Sequence, residues 1–128
     1  MIIDTSAVLA VLFDEPERED FVQRIAAAPR RLVSAGTLVE TSIVVEARRG
    51  ASAGRELDLF LHRADTRTVP FDEEQALAAR AAWRRYGKGR HPAALNYGDL
   101  FAYALARITG DELLYKGDDF SRTDLGQG

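Results

Sequence analysis

The chain has no cysteine, two histidines and one tryptophan among its 128 residues. Without cysteine there is no disulfide framework, no thiolate zinc site and no cysteine nucleophile. Proline is scarce, at four residues, and no low-complexity tract or internal repeat is present. Long hydrophobic runs are also missing. The stretch Ala7–Phe13 is far short of the roughly 20 residues that span a bilayer. The opening Met1-Ile2-Ile3 is broken by Asp4 and has no positive flank, so no targeting segment is expected. A soluble, cytoplasmic protein without membrane contact is expected. A surplus of basic charge is absent too. Lysine and arginine number 17 against 20 acids, a net charge of −3, which argues against a protein that coats nucleic acid.

What is present suits a single domain over residues 1–128 with 46% hydrophobic residues. A chain of this length buries enough surface to need no staples. Ile2-Ile3 reads as a short buried strand ending at Asp4, followed by a helix over Ala7–Phe13 capped by Ser6. Asp14-Glu15-Pro16 starts a second helix, with Phe21, Val22 and Ile25 as its apolar stripe. Arg31–Ser34 reads as strand two, Thr37–Arg49 as a helix stopped by Gly50, and Gly54–Ala64 as another helix. Thr66–Val69 is the third strand. Asp72 with Gln75 resembles a capping box that opens a helix with Ala76, Ala79, Trp83 and Tyr86 on one stripe. Gly87 to Leu95 is a loop. Asn96 caps a helix to Thr109, with Leu100, Ala104 and Ile108 on one face. Leu113-Leu114-Tyr115 is the last strand, and the tail from Asp124 is expected to fray. Strands separated by helical crossovers make a three-layer α/β domain. Its central, mainly parallel sheet of four to five strands is flanked by helices.

In such a sheet, ligands bind beyond the carboxyl ends of the strands. Asp4 ends strand one, Glu40 lies early in the helix after strand two, and Asp118 and Asp119 follow the last strand. Asp99 lies in the first turn of the helix that enters that strand. Each acid alone has a plain reading: first-turn carboxylates favour the helix dipole, and aspartates suit turns. That reading does not explain why four separate segments deliver carboxylates to one rim. Crowded like charges repel and raise each other's pKa, and a cation resolves the conflict. An oxygen-only ligand set favours Mg²⁺ or Mn²⁺ over Zn²⁺. This chemistry suits metal-assisted phosphodiester hydrolysis. The hydroxyls of Thr5 and Ser6 stand beside Asp4 and are candidates to position water or phosphate.

The opening Met1-Ile2-Ile3-Asp4-Thr5-Ser6-Ala7 resembles that of PIN-domain nucleases, as does Leu95-Asn96-Tyr97-Gly98-Asp99. The ending Leu113-Leu114-Tyr115-Lys116-Gly117-Asp118-Asp119-Phe120 is similar to the close of VapC-type toxins. So is the loop Tyr86-Gly87-Lys88-Gly89-Arg90-His91 to that of one subgroup. The resemblance runs over nearly the whole chain. It implies a PIN-like fold and a Mg²⁺- or Mn²⁺-dependent endoribonuclease, the toxin of a type II toxin–antitoxin pair. Asp4, Glu40, Asp99 and Asp119 match the catalytic, metal-holding acids, with Asp118 a possible outer ligand. It further implies a homodimer, a cognate small antitoxin that offers a basic residue to the acidic site, and transfer or ribosomal RNA as substrate. Operator DNA would be bound through the antitoxin rather than by this chain. The alternative is a non-catalytic RNA- or protein-binding module of the same fold, against which the intact acid set weighs. A phosphoaspartate enzyme with Asp4 as nucleophile is disfavoured, because Ser6 stands where a second acid is usual.

Cationic contacts to RNA are expected from Arg84, Arg85, Lys88 and Arg90, a basic run with no acid inside it. The same residues also suit a helix end. Trp83 and Tyr86 read as core or subunit-interface side chains rather than base-stacking platforms. His62 reads as structural and His91 as a surface histidine. Tyr97 and Tyr115 are expected to pack beneath the site. Setting aside Asp4, Glu40, Asp99, Asp118 and Asp119 leaves 15 acids against 17 basic residues, a balance of +2 for the rest of the chain.

Overall fold

The computed structural model describes residues 1–127. Four strands form one sheet: β1 (Ile2–Ile3), β2 (Arg31–Ser34), β3 (Thr66–Val69) and β4 (Leu113–Leu114), in the order β3-β2-β1-β4. All pairings are parallel, with Ile2 opposite Leu32 and Leu113, and Ile3 opposite Leu114. The helices are α1 (Thr5–Leu12), α2 (Arg18–Ala27), α3 (Ala35–Arg49), α4 (Ala51–Arg63), α5 (Glu73–Tyr86) and α6 (Tyr97–Thr109).

Alternation along the strands builds the three layers, because successive side chains point to opposite faces. Ile2, Leu32 and Leu113 join Ala82, Tyr86, Leu95, Ala102, Leu105 and Phe120 in one core, beneath α5 and α6. Ile3 and Leu114 join Val8, Val11, Phe21, Ile25 and Leu57 in the other, beneath α1, α2 and α4. Both isoleucines are fully buried, the signature of a parallel strand covered on two sides.

The sheet order places the site. The chain leaves β1 for β2 on one side, then returns from β3 to add β4 on the other side of β1. The connections therefore diverge beyond the carboxyl ends of β1 and β4, and crevices open at such a switch point. Asp4 stands there, its backbone N–H donating to Leu114 O at 3.0 Å.

Several expected boundaries shift for identifiable reasons. Asp4, not Ser6, caps α1, so the helix begins at Thr5. Ser34 caps α3 by accepting from Gly36 N, which starts that helix at Ala35. Helix α4 starts at Ala51 and β4 stops at Leu114. The capping box at α5 is half formed. Asp72 accepts from Gln75 N, but the Gln75 amide donates to Pro70 O at 2.9 Å. Val22, Trp83 and Ile108 lie outside the buried faces of their helices, and His62 is exposed. Gln75, Ala79, Ala82 and Tyr86 face inward from α5 instead. The tail is tied down. Short 3-10 turns run over Phe120–Arg122 and Asp124–Gln127, with Tyr103 donating to Asp124 at 2.6 Å and Arg107 paired with the same carboxylate. Gly128, the last residue of the tail expected to fray, lies outside the described residues.

Leu114 is fully buried beside Ile3. Leu114→Ala should cost about 2–5 kcal/mol, read as a lower midpoint in chemical unfolding. An unchanged midpoint would mean that this face of the sheet is not the packed core described.

Candidate active site

Four elements bring carboxylates to the switch point, and hydrogen bonds hold three of them, Asp4, Glu40 and Asp99. Asp4 extends from β1 into the N-cap of α1. Its Oδ2 accepts from Ser6 N at 3.0 Å and Ser6 Oγ at 2.6 Å. Its Oδ1 is buried and has no hydrogen-bond partner. Glu40 sits in the second turn of α3, where its Oε1 accepts from Thr5 Oγ1 at 2.6 Å. Asp99 forms a true capping box with Asn96, each side chain accepting the other residue's backbone N–H at 2.9 and 3.0 Å. Asp119 follows β4 at the start of the first 3-10 turn.

The electrostatics show that these groups face one another. Burial pushes the Asp4 carboxyl up to about 7, against the lowering effect of its Ser6 hydrogen bonds, and the charges of Asp99 and Glu40 raise it further. Burial likewise pushes Asp99 up to about 6, with Asp119 and Glu40 adding to the rise. Asp119, not Asp118, is the acid of the final turn that acts on Asp99. Asp118 is exposed, and its backbone carbonyl accepts from Ser121 Oγ. Among the described residues, no three acidic or imidazole groups close tightly enough to grip a metal ion as they stand.

The donor set nevertheless suits a hard divalent cation. It is all oxygen and negatively charged, and Asp4 is buried with one unpaired acceptor. Basic charge is drawn away from it, because Lys116 pairs with Glu15 at 3.1 Å and Glu17 at 3.4 Å. The hydroxyls of Thr5 and Ser6 donate to the carboxylates of Glu40 and Asp4. Ser6 Oγ also accepts from Lys116 N at 2.9 Å, which ties the end of β4 to Asp4.

Two residues escape a reading of the sequence. Buried Thr41 places its Oγ1 3.1 Å from Thr5 Oγ1 and 2.8 Å from Thr37 O, backing the hydroxyl that holds Glu40. Gly98 lies against the Glu40 carboxylate so closely that any Cβ there would overlap it. Thr41 leaves no sequence signal. Gly98 leaves a weak one, a glycine in the first turn of a helix, where that residue is unfavourable.

The basic run is split. Arg84 and Arg85 are exposed at the end of α5, with Arg85 over the Tyr86 ring. Arg90 lies over the Trp83 ring at 4.5 Å, and Lys88 borders a cavity next to Asn96 and Tyr97. Tyr86 is core, while Tyr97 is 78% exposed rather than packed beneath the site. Tyr115 is half-buried against the core, edge-on to Phe120. His91 accepts from Ala93 N through Nδ1, a loop-closing role.

A parallel β3-β2-β1-β4 sheet with acids from four segments at its switch point is the arrangement of a PIN domain. The PIN domain family model matches residues 1–125, and the chain belongs to that family. Within the family it groups with the VapC ribonucleases. It is 55% identical over 125 residues to Ribonuclease VapC30 of Mycobacterium tuberculosis, covering 98% of this chain and 95% of that one. Identity to Ribonuclease VapC of Mycolicibacterium smegmatis is 54% over 125 residues, covering 98% and 97%. The fold is similar to that of Mycobacterium tuberculosis VapC20, described as a sarcin-ricin loop cleaving toxin. That match has a TM-score of 0.74 at 20% identity and covers 94% and 92% of the two chains. It is also similar to a chain of a toxin–antitoxin complex from Klebsiella pneumoniae, with a TM-score of 0.67 at 19% identity, covering 96% and 92%.

The raised carboxyls have a consequence for stability. Between about pH 4 and about pH 7 the unfolded chain binds fewer protons at Asp4 and Asp99 than the folded chain does, so stability falls as pH rises through that window. In EDTA, the unfolding temperature should therefore drop between pH 5 and pH 8, and Asp4→Asn should reduce that drop. An equal drop in wild type and variant would refute the buried-acid account.

Gly98→Ala should push the Glu40 carboxylate away from Thr5 and weaken Mn²⁺ binding. A variant with unaltered Mn²⁺ binding would show that the close approach is not required.

Proposed function

We propose that this chain is the toxin of a toxin–antitoxin pair, an endoribonuclease that hydrolyses RNA phosphodiester bonds with Mg²⁺ or Mn²⁺ held by its acidic rim. The observation that carries the proposal is Asp4. A carboxylate this buried, with one oxygen unpaired and facing the charges of Asp99 and Glu40, is costly unless a cation joins it. Asp4, Glu40, Asp99 and Asp119 would hold the ion, with Asp118 at the outer edge. When bound, such an ion polarises a phosphoryl oxygen and lowers the pKa of an attacking water.

The chain's own residues supply the orientation. Ser6 fixes Asp4 so that Oδ1 is the free oxygen. Thr5, backed by Thr41, fixes Glu40. The Asn96 backbone fixes Asp99. Arg84, Arg85, Lys88 and Arg90 supply phosphate contacts at the end of α5 and in the loop after it. The names of the relatives support the ribonuclease reading, and the two structural neighbours support toxin and antitoxin. We infer in the same way a ribosomal or transfer RNA substrate, a homodimer, a cytoplasmic location and inhibition by a small antitoxin. A bidentate arginine from that partner suits the carboxylates.

RNA cleavage by the purified chain should require Mg²⁺ or Mn²⁺ and stop in excess EDTA. Asp4→Asn should lose more than about 100-fold in rate, a larger loss than the removal of an outer partner causes. It should also relieve growth arrest on expression. Cleavage that survives full chelation would overturn the metal mechanism, and equal toxicity of the variant would overturn catalysis by this site.

A further inference from the structure

Beside the acidic rim, α5, the following loop and the start of α6 enclose a cavity of about 590 Å³. Its wall is aromatic and aliphatic, with Phe71, Trp83, Leu95, Tyr97 and Phe101 prominent. The aromatic rings form a row. Phe71 stands edge-on to Phe101 with centroids 4.8 Å apart, and Phe101 stands edge-on to Tyr97 at 5.1 Å. Tyr97 is 78% exposed and Trp83 44% exposed, so both offer ring surface to a ligand. Arg80 and Lys88 line the cavity, Arg90 lies over the indole, and no acidic residue lines it. Asn96 and Tyr97 belong both to this wall and to the turn that holds Asp99.

We propose that this cavity receives one unstacked nucleobase of single-stranded RNA, next to the phosphodiester presented to the acids. The proposal rests on the ribonuclease reading above and adds a substrate subsite to it. Single-stranded RNA is recognised by splaying bases onto aromatic faces and arginine planes while cations hold the backbone. Trp83 and Tyr97 provide the faces, and Lys88, Arg80 and Arg90 the cations. The charge favours RNA over a second copy of the chain. Arg80 and Lys88 line the cavity, Arg90 stands over Trp83 at its edge and no carboxylate lines it, a balance that suits a polyanionic strand.

Trp83 is the chain's single tryptophan and serves as a built-in reporter. The experiment titrates full-length Asp4→Asn protein, in Mg²⁺, with a short single-stranded oligoribonucleotide and with the same strand carrying abasic sugars. Anisotropy of the labelled strand is followed alongside indole fluorescence. The intact strand should quench the indole saturably, and the abasic strand should not. Tyr97→Ala and Lys88→Ala in that background should each weaken binding of the intact strand, the former by at least about fivefold. In the otherwise wild-type chain, Tyr97→Ala should raise KM more than it lowers kcat. If the strand binds but the indole is silent and Tyr97→Ala binds as tightly, the subsite is refuted while the ribonuclease reading stands. If the wild-type chain cuts no RNA, the ribonuclease reading itself fails. If indole fluorescence follows protein concentration without RNA, and Tyr97→Ala splits a dimer in sedimentation, a second copy fills the cavity and the proposal is overturned.

Discussion

The carboxylate of Asp4 serves two structures at once. One oxygen caps α1 through the backbone and hydroxyl of Ser6, and the other is buried without a partner. Capping alone would place such a group at a solvated helix end, where it is worth about 1 kcal/mol. Here the end of β1 carries it to the switch point of the sheet, where water is excluded. Burial makes the ionised form costly, and the nearby charges of Glu40 and Asp99 add to that cost. The chain tolerates this strain because two cores flank β1 and fix it in place.

The same economy recurs around the rim. Asp99 lies in the first turn of α6, where a carboxylate also answers the helix dipole. Its hydrogen bond to the Asn96 backbone sets the orientation of one oxygen. Glu40 comes from the second turn of α3, too deep for a cap, and needs other support. Thr5, backed by Thr41, provides it, and Gly98 leaves the room for the carboxylate. Asp4, Glu40 and Asp99 thus each have an interaction that aims the carboxylate. The dipole and capping readings of these residues do not compete with the functional one. They are the means by which the chain aims its acids.

The layer order and the parallel sheet were legible because apolar runs, breakers and helical periods all pointed the same way. Ile2-Ile3 needed no context beyond its two-sided burial. The convergence of Asp4, Glu40, Asp99 and Asp119 was legible too, since it follows from where parallel strands end. What the sequence hid was set by tertiary contact. Whether Ser6 or Asp4 caps α1 depends on where β1 lets go of the chain, and Gln75 left its capping box for the carbonyl of Pro70. Helical spacing placed Trp83 and Tyr86 on one stripe. Only the packing of α5 against α6 shows that Tyr86 turns inward and Trp83 outward. Thr41 supports Glu40 only through Thr5, a contact across 36 positions of sequence, beyond the reach of any local pattern.

The net charge of −3 describes no single surface of this molecule. Acids concentrate where β1, α3, α6 and the turn after β4 meet, while the end of α5 and its loop are basic. The two regions adjoin at Asn96-Tyr97, where the aromatic cavity begins. A polyanion approaching the acids without a cation would be repelled, and one held only by the arginines would lie away from them. On the proposed reading, a divalent ion held at the rim would offset the first effect and leave the second intact, so that both regions could draw on one strand. Under the proposed function, neutralising the acids and holding the strand are separate tasks given to separate segments, and the buried carboxyl of Asp4 marks where neutralisation matters most.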